Sequence, residues 1–514
     1  MKRVPRCLSL LTLSFLLSTI LVGLRAEAAT YTVKAAGGGN YTTISACASA
    51  ANAGDTCVVY AGTYAGWAQN TNGTAGNPIT FTANTGDTVT VTSGINLSSR
   101  SYIVISHLAF TAGVTGNGTT NHITITHCTS TARLFTISDG QGNNGSDNVL
   151  SYNTITFPSQ SSNSQGFYLY GDRNRIEYNE ISGGGGDCMD LGGDNVIVRS
   201  NYCHNVSGAT TGEHIDFVQV MGGGTVPTLR WSLIEHNIFR AATNQAHSLI
   251  LRNGAGAPDL DGVIFRYNFD QNVDGGITNG GGTDDHVINT AMYNNTFALE
   301  RSTGENGYAL SCWHGTRAIV ANNISYNSGG TPWSPFSCAI SEDSAVLMNG
   351  DLGFNTGYSG TWNYPYSAEG TYNTLRNVNP LFANYPTDGT LQSGSPARNA
   401  GVALATATGA GTNSTSLVLT NIHAFQPGWA GVHGDCIRIG ASTTTCITAL
   451  NYSTNTATIS PAVSWSSGDP IYLYKDSNST VVLNSARPDI GAYPYNSTVS
   501  TGPAAPAGLS AVVQ

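Results

Sequence analysis

The sequence has little charge. Only 10% of its 514 residues are Asp, Glu, Lys or Arg, and its lysines are Lys2, Lys34 and Lys475. With a formal charge of −10 and so few cations, the chain does not favour nucleic acid or anionic membranes. A polyanionic partner would have to be met by local arginines or a bridging metal. The ten cysteines include no Cys-x-x-Cys pair, which argues against a zinc or thioredoxin-like site. Gly-x-Ser-x-Gly, a phosphate-binding loop and a dinucleotide fingerprint are also missing. Past the N-terminus no run is apolar enough to cross a bilayer.

The N-terminus itself reads as a secretory signal over residues 1–28. Lys2, Arg3 and Arg6 precede the apolar run CLSLLTLSFLLSTILVGL, and Ala26-Glu27-Ala28 forms a small-residue cleavage site. Removing Lys2, Arg3, Arg6, Arg25 and Glu27 takes the formal charge from −10 to −13. A secreted or periplasmic protein with no remaining membrane span is expected. Disulfides suit that compartment. Proximity pairs Cys47 with Cys57, Cys188 with Cys203, Cys312 with Cys338 and Cys436 with Cys446, leaving Cys128 over.

What the chain does have is 61 glycines and an asparagine that returns after each short apolar strand. Asn153, Asn179, Asn201, Asn237, Asn268, Asn295 and Asn323 follow one another at spacings of 26, 22, 36, 31, 27 and 28 residues. His127 and His107 are expected to continue that register towards the N-terminus. Repeats of this length indicate a solenoid or propeller. One short strand group per repeat, with Gly- and Asn-rich turns, points to an all-β fold, a single-stranded right-handed parallel β-helix. In it, equivalent side chains stack about 4.8 Å apart, and stacked Asn amides can bond along the column.

The organisation expected is a β-helix over 29–400, opened by a helical cap within 30–62 whose apolar face carries Ile44, Cys47 and Ala51. A small inserted β module follows over 401–478, then a closing β-helix segment over 479–497 and a Pro/Ala/Gly tail over 498–514. Trp429 and Trp465 either form the module's core or offer sugar-stacking surfaces. The run ISACASAANAGDTCVVYAGTY resembles the opening of the right-handed parallel β-helix (pectate lyase-like) superfamily, and NPLFAN, GTLQSGSPARNAG and RPDIGAYPY are similar to its closing segments. The resemblance implies the fold and leaves the activity open.

A β-helix has a packed interior, so chemistry belongs on an outer face or in loops. The longest repeats, between Asn201 and Asn268, carry the polar outliers. GGGGDCMDLGG holds Asp187 and Asp190. GEHIDFVQVMGGG holds Glu213, His214, Asp216 and Gln219. AHSLILRNG holds His247 and Arg252. These are expected to form three rungs of one sheet, with Gln219 facing out one rung after Asp190. Asn279, Trp313 and His314 extend the same surface as substrate contacts. Such a groove suits β-elimination from a uronic-acid polysaccharide, in which a base removes the C5 proton and a cation neutralises the carboxylate. His214 is the first candidate base, with Arg252 and His247 beside it. Asp187, Asp190, Glu213 and Asp216 are hard oxygen donors for Ca2+, and GDCMDLGG is similar to a calcium loop of some β-helix lyases. Those lyases commonly use a lysine or arginine base, and here 35–474 contains no lysine. Glycoside hydrolysis by a carboxyl pair, Asp284 with Asp285, is the alternative. A non-catalytic, glycan-binding matrix protein is the rival of another class. The expected partner is a polysaccharide, and the expected state a monomer.

Overall fold

A computed structural model describes residues 28–496, apart from 118, 138–144, 160–164, 208–214, 223–227, 242–245, 254–259, 272–274, 280–286, 299–307, 313–314, 317–318, 328–335, 339–346, 356–374, 387–388 and 430. Almost all of the signal segment and the whole of the tail therefore lie outside it. Each repeat is one coil of short strands joined by bends, and like strands of successive coils pair in parallel. The first sheet runs in 13 strands from Thr30–Val33 to Leu347–Asn349, and the second in 13 from Gly62–Tyr64 to Leu375–Arg376. A third sheet of 14 strands closes the coil. This is the expected parallel β-helix.

The interior is a set of side-chain columns. On the first sheet Ile105, Ile125, Leu150, Ile176, Val198, Ile234, Phe265, Met292 and Val320 stand in unbroken register, all buried. Each contributes roughly 1.5–3 kcal/mol of apolar burial. The helix Ile44–Ala50 starts at Thr43, whose hydroxyl accepts from the Ala46 N–H at 3.2 Å. It buries Ile44, Cys47 and Ala48 in the same core, and Cys47 bonds to Cys57. The disulfides Cys188–Cys203 and Cys436–Cys446 also form, and Cys128 is buried and free. Cys312 and Cys338 face each other in strand register, though their side chains lie outside the described residues.

The asparagine column is a hydrogen-bond ladder. Asn153 donates its backbone N–H and its amide to Asn179 Oδ1, at 3.0 and 2.9 Å. The same pair of bonds repeats through Asn201, Asn237, Asn268 and Asn295 to Asn323. It ends on Asp351, whose Oδ1 takes both donors of Asn323 at 2.8 and 3.0 Å. The two histidines do not belong to it. Cys128 holds the ladder position, its N–H donating to Asn153 Oδ1 at 3.0 Å. His107 and His127 sit one residue earlier, in a bend with φ near +60°, as do Tyr152 and Tyr178. That left-handed conformation turns the chain between the first and second sheets. The four rings stack there with centroids 5.1, 5.0 and 4.9 Å apart. His107 and His127 share the repeat's spacing but not the ladder's hydrogen-bonding position.

Residues 405–475 form a separate six-stranded antiparallel sheet packed on the outside of the first sheet. Trp465 belongs to its core, with Nε1 donating to Gly409 O at 3.0 Å. A buried polar network joins the two. Arg266 donates to Glu235 at 2.8 Å, to both carboxylate oxygens of Asp435 at 2.8 Å and to Tyr293 Oη at 2.7 Å. Arg199 bridges Glu177 and Ser477, and His236 meets Asp476 at 2.7 Å. The closing segment returns to the coils where the Gly491 N–H donates to Asn322 O.

One core column carries a charge-bearing group. Asp270 stands between Phe239 and Phe297 on the second sheet, fully buried. Neither carboxyl oxygen is hydrogen-bonded, and the Ser248 hydroxyl is the polar group beside it. Burial pushes its pKa up from 3.8 to about 8. The group therefore folds protonated, and its contribution is intact below about pH 4 and lost as pH rises through about 8. Asp270→Asn is expected to flatten the fall of Tm between pH 5 and 9 seen by calorimetry, the variant being the more stable at pH 9. In the ladder, Asn268→Ala leaves buried donors and acceptors unmatched on two coils, and denaturant unfolding should show a loss of about 3 kcal/mol.

Candidate active site

The three acidic segments do form adjacent rungs of the third sheet: Met189–Asp194, Ile215–Gly222 and Ala246–Asn253. Val218 pairs with Met189 and Leu249, and all three are buried in the core. The alternate positions line the other face. Thr136, Tyr168, Asp190 and Gln219 form one column there in continuous register, and the backbone register runs on through Ile250 and Thr278.

Three residues earlier on each coil lies a second column: Arg133, Gln165, Asp187, Asp216 and His247. Its members bond in two groups, Arg133 with Gln165 and Asp187 with Asp216 and His247. Arg133 Nη2 donates to Gln165 Oε1, and its guanidinium lies 5.3 Å from the Tyr168 ring centroid. The Asp216 N–H donates to Asp187 Oδ1 at 2.8 Å. His247 Nδ1 meets Asp216 Oδ1 at 2.8 Å. Beneath the column the Cys188–Cys203 disulfide ties the start of the Asp190 strand to the second sheet. At about 4.8 Å per rung, the four steps from Arg133 to His247 span about 19 Å.

The carboxyls are shielded from solvent, with relative exposures of 7% for Asp187, 4% for Asp190 and 0% for Asp216. Burial, with Asp216 and Asp190 close by, raises the pKa of Asp187 well above the ordinary carboxylate range. Asp216 Oδ1 accepts from the His247 Nδ1–H, a contact that orients the imidazole. A carboxyl pushed towards its protonated form therefore stands one rung from a carboxyl–imidazole pair. Tyr170, also buried, has its phenol pKa raised by burial, by Tyr168 and by Asp190.

The other expected residues fall elsewhere. Glu213, His214, Asp284, Asp285, Trp313 and His314 lie outside the described residues. Arg252 is described in its backbone alone, in register with Met221. Asn279 is aligned with Leu251 and Val220, one position past the Gln219–Ile250–Thr278 column. The donors expected for Ca2+ are chemically suitable, but among the described residues no three His, Cys, Asp or Glu side chains are placed to hold a metal ion.

Arg133, Gln165, Tyr168 and Tyr170 were not expected. Their signal was an offset: Tyr168 precedes Asn179 by 11 residues, as Asp190 precedes Asn201, and Gln165 and Asp187 precede the same asparagines by 14. Arg133 carried no such signal, because the coil between it and Asn153 is longer.

No family model and no curated protein matches the chain. Its coil topology decides the class. The chain has the right-handed parallel β-helix fold. Among solved structures it is similar to the PL6 family alginate lyase AlyGC, at 14% identity and a TM-score of 0.42 over 72% of this chain and 56% of that one. The chain thus spans little more than half of that lyase. It is also similar to the pectate lyase Pel9A, at 15% identity and a TM-score of 0.36 over 73% of this chain and 92% of that one. A GH136 lacto-N-biosidase from Eubacterium ramulus matches at 11% identity and a TM-score of 0.39, over 62% of this chain and 68% of that one.

Burial and the neighbouring carboxyls disfavour a charge on Asp187, so the uncharged Asp187→Asn should preserve stability at pH 7 to within about 1 kcal/mol in thermal melts. Asp216→Ala removes the partner of His247 and opens a buried gap. It should cost about 2 kcal/mol or more in the same thermal melts.

Proposed function

We propose that the protein is a secreted carbohydrate-active enzyme that cleaves an acidic, uronic-acid-containing polysaccharide, by β-elimination in preference to hydrolysis. One observation carries the reading: Asp187, Asp216 and His247 stand in bonded sequence on one largely buried column, in a chain otherwise poor in charge. His247, oriented by Asp216, removes the C5 proton through Nε2. The electron pair forms the C4–C5 double bond as the C4–O bond breaks, and protonated Asp187 is placed to hand its proton to the leaving oxygen. Gln219 and Tyr168 face the same groove as polar contacts. Arg133, four rungs away, is too distant to act on the same sugar, and pairs with the carboxylate of a neighbouring residue of the polymer. His214 and Arg252 stay within the proposal as further groups of the groove. The bonded cysteines support an oxidising compartment, and no helix among the described residues is long and apolar enough to cross a membrane.

Hydrolysis is the second reading, favoured by Asp187, whose pKa burial and its neighbours raise, beside a second carboxyl, Asp216, a pairing that two-carboxyl chemistry uses. One assay separates them. The mature protein is incubated with pectate, alginate, glycosaminoglycans and neutral glycans, with Ca2+ and with chelator, while unsaturated-product absorbance and new reducing ends are followed. Absorbance is expected on an acidic polymer, falling about 100-fold or more in folded His247→Ala and Asp216→Asn variants. Reducing ends without absorbance would establish hydrolysis. Unchanged rates in both variants would remove the site. The chelator arm reads any calcium requirement directly.

A further inference from the structure

The outer face of the first sheet changes character part-way along the helix. On its first six coils the outward positions of one column are Thr30, Thr56, Thr80, Val104, Thr124 and Val149, in continuous register without a bulge. Two residues further along each strand runs a second column, Thr32, Val58, Thr82, Ser106, Thr126 and Ser151. The residues between them, such as Phe81, Ile105 and Ile125, point into the core. All twelve outward positions are Thr, Val or Ser, and ten of them are partly or fully exposed. Charged and long polar side chains, which ordinarily occupy such positions, are missing. Past Val149 the first column continues as Arg175, Ile197, Leu233, Ile264, Ala291 and Ile319. The last four are buried in the apolar cluster shared with the module. The module thus covers the later coils, and the Thr/Val/Ser array is the part of this face that it leaves open.

We propose that this face binds ice, with the ordered water of a crystal surface meeting the Thr hydroxyls and lying over the Thr and Val methyls. The array repeats at about 4.8 Å from coil to coil and about 6.6 Å along each strand, close to the repeats of water oxygens on an ice face. The hydroxyls of Thr56, Thr80 and Thr124 make no hydrogen bond to any described residue, so they are open to water. In the second column Ser106 donates to Thr82 at 2.9 Å and Ser151 to Thr126 at 3.1 Å, which fixes those oxygens in place. The lack of charge fits an uncharged lattice, because an ammonium or carboxylate would have to shed its own hydration shell to lie against a crystal. A second copy or another protein fits poorly. The patch measures about 24 Å by 7 Å, far short of the roughly 800 Å² per partner that a stable complex buries. A crystalline glycan fits poorly as well. The rings along the flank, His107, His127, Tyr152 and Tyr178, are stacked on one another and turn no free face to a sugar. The inference is independent of the carbohydrate reading.

The test uses the whole mature protein, with ice itself as the probe. The protein should be drawn into slowly grown ice and should suppress the recrystallisation of fine ice grains, whereas a non-binding protein is excluded. Thr80→Lys and Thr124→Lys each put an ammonium into the middle of the first column. Each should lower incorporation about tenfold or more, with Tm and any cleavage activity kept at the parental value. Thr156→Lys, at an exposed position of the second sheet, should leave incorporation unchanged. The proposal fails if the parent is excluded from ice, if the two array variants are taken up like the parent, or if Thr156→Lys is lost to the same extent. Pelleting with microcrystalline cellulose and chitin, and sedimentation over a range of concentrations, run alongside. Glycan binding or dimerisation that both array variants abolish would give the face to that partner and overturn the assignment to ice.

Discussion

From Asn153 to Asn323 each coil is held against the next by one buried amide. From Asn179 to Asp351 each Oδ1 takes two donors from the coil before, and from Asn153 to Asn323 each Nδ2 also reaches a carbonyl of an earlier coil, as Asn179 does with Leu150 O at 2.9 Å. Slipping the register by one residue would break these bonds and turn the inward column outward. The ladder therefore does for the coils what a hairpin turn does for two antiparallel strands. It also explains how spacings from 22 to 36 residues are tolerated. Extra length bulges from the far side of the coil, while the bend and its asparagine stay in place.

Register then dictates chemistry. Residues far apart in the chain are brought to about 4.8 Å steps along a column, so a single column can gather an arginine, an amide, two carboxyls and an imidazole. Burial and the closeness of Asp216 and Asp190 raise the pKa of Asp187. The same burial acts without partners on Asp270, inside the second sheet, and on Asp351, whose pKa is pushed up to about 7 despite the two donors of Asn323. The chain thus keeps several carboxyls away from water although it has few charges to spend.

Its other charge concentration joins the module to the coils. Arg266 is fully buried, yet each of its nitrogens meets Glu235, Asp435 or Tyr293. Buried ion pairs of this kind contribute less to net stability than to a unique docking geometry. Removing one partner would leave the others charged and dry. That fixed geometry is what brings Phe425, Trp429 and Tyr452 over the coil bend at Trp231.

The sequence alone was sufficient for the coil count between Asn153 and Asn323, the inward apolar columns, the three disulfides now seen and the adjacency of the Asp190, Gln219 and His247 segments. Each depends on local pattern or on a regular repeat. It misassigned His107 and His127, because a spacing cannot distinguish a bend residue from the ladder residue that follows it. It also could not pair Asp216 with His247, bring Arg133 and Gln165 into the same column, or raise Asp187. Those depend on register between coils of unequal length and on burial, and both exist only once the columns have stacked.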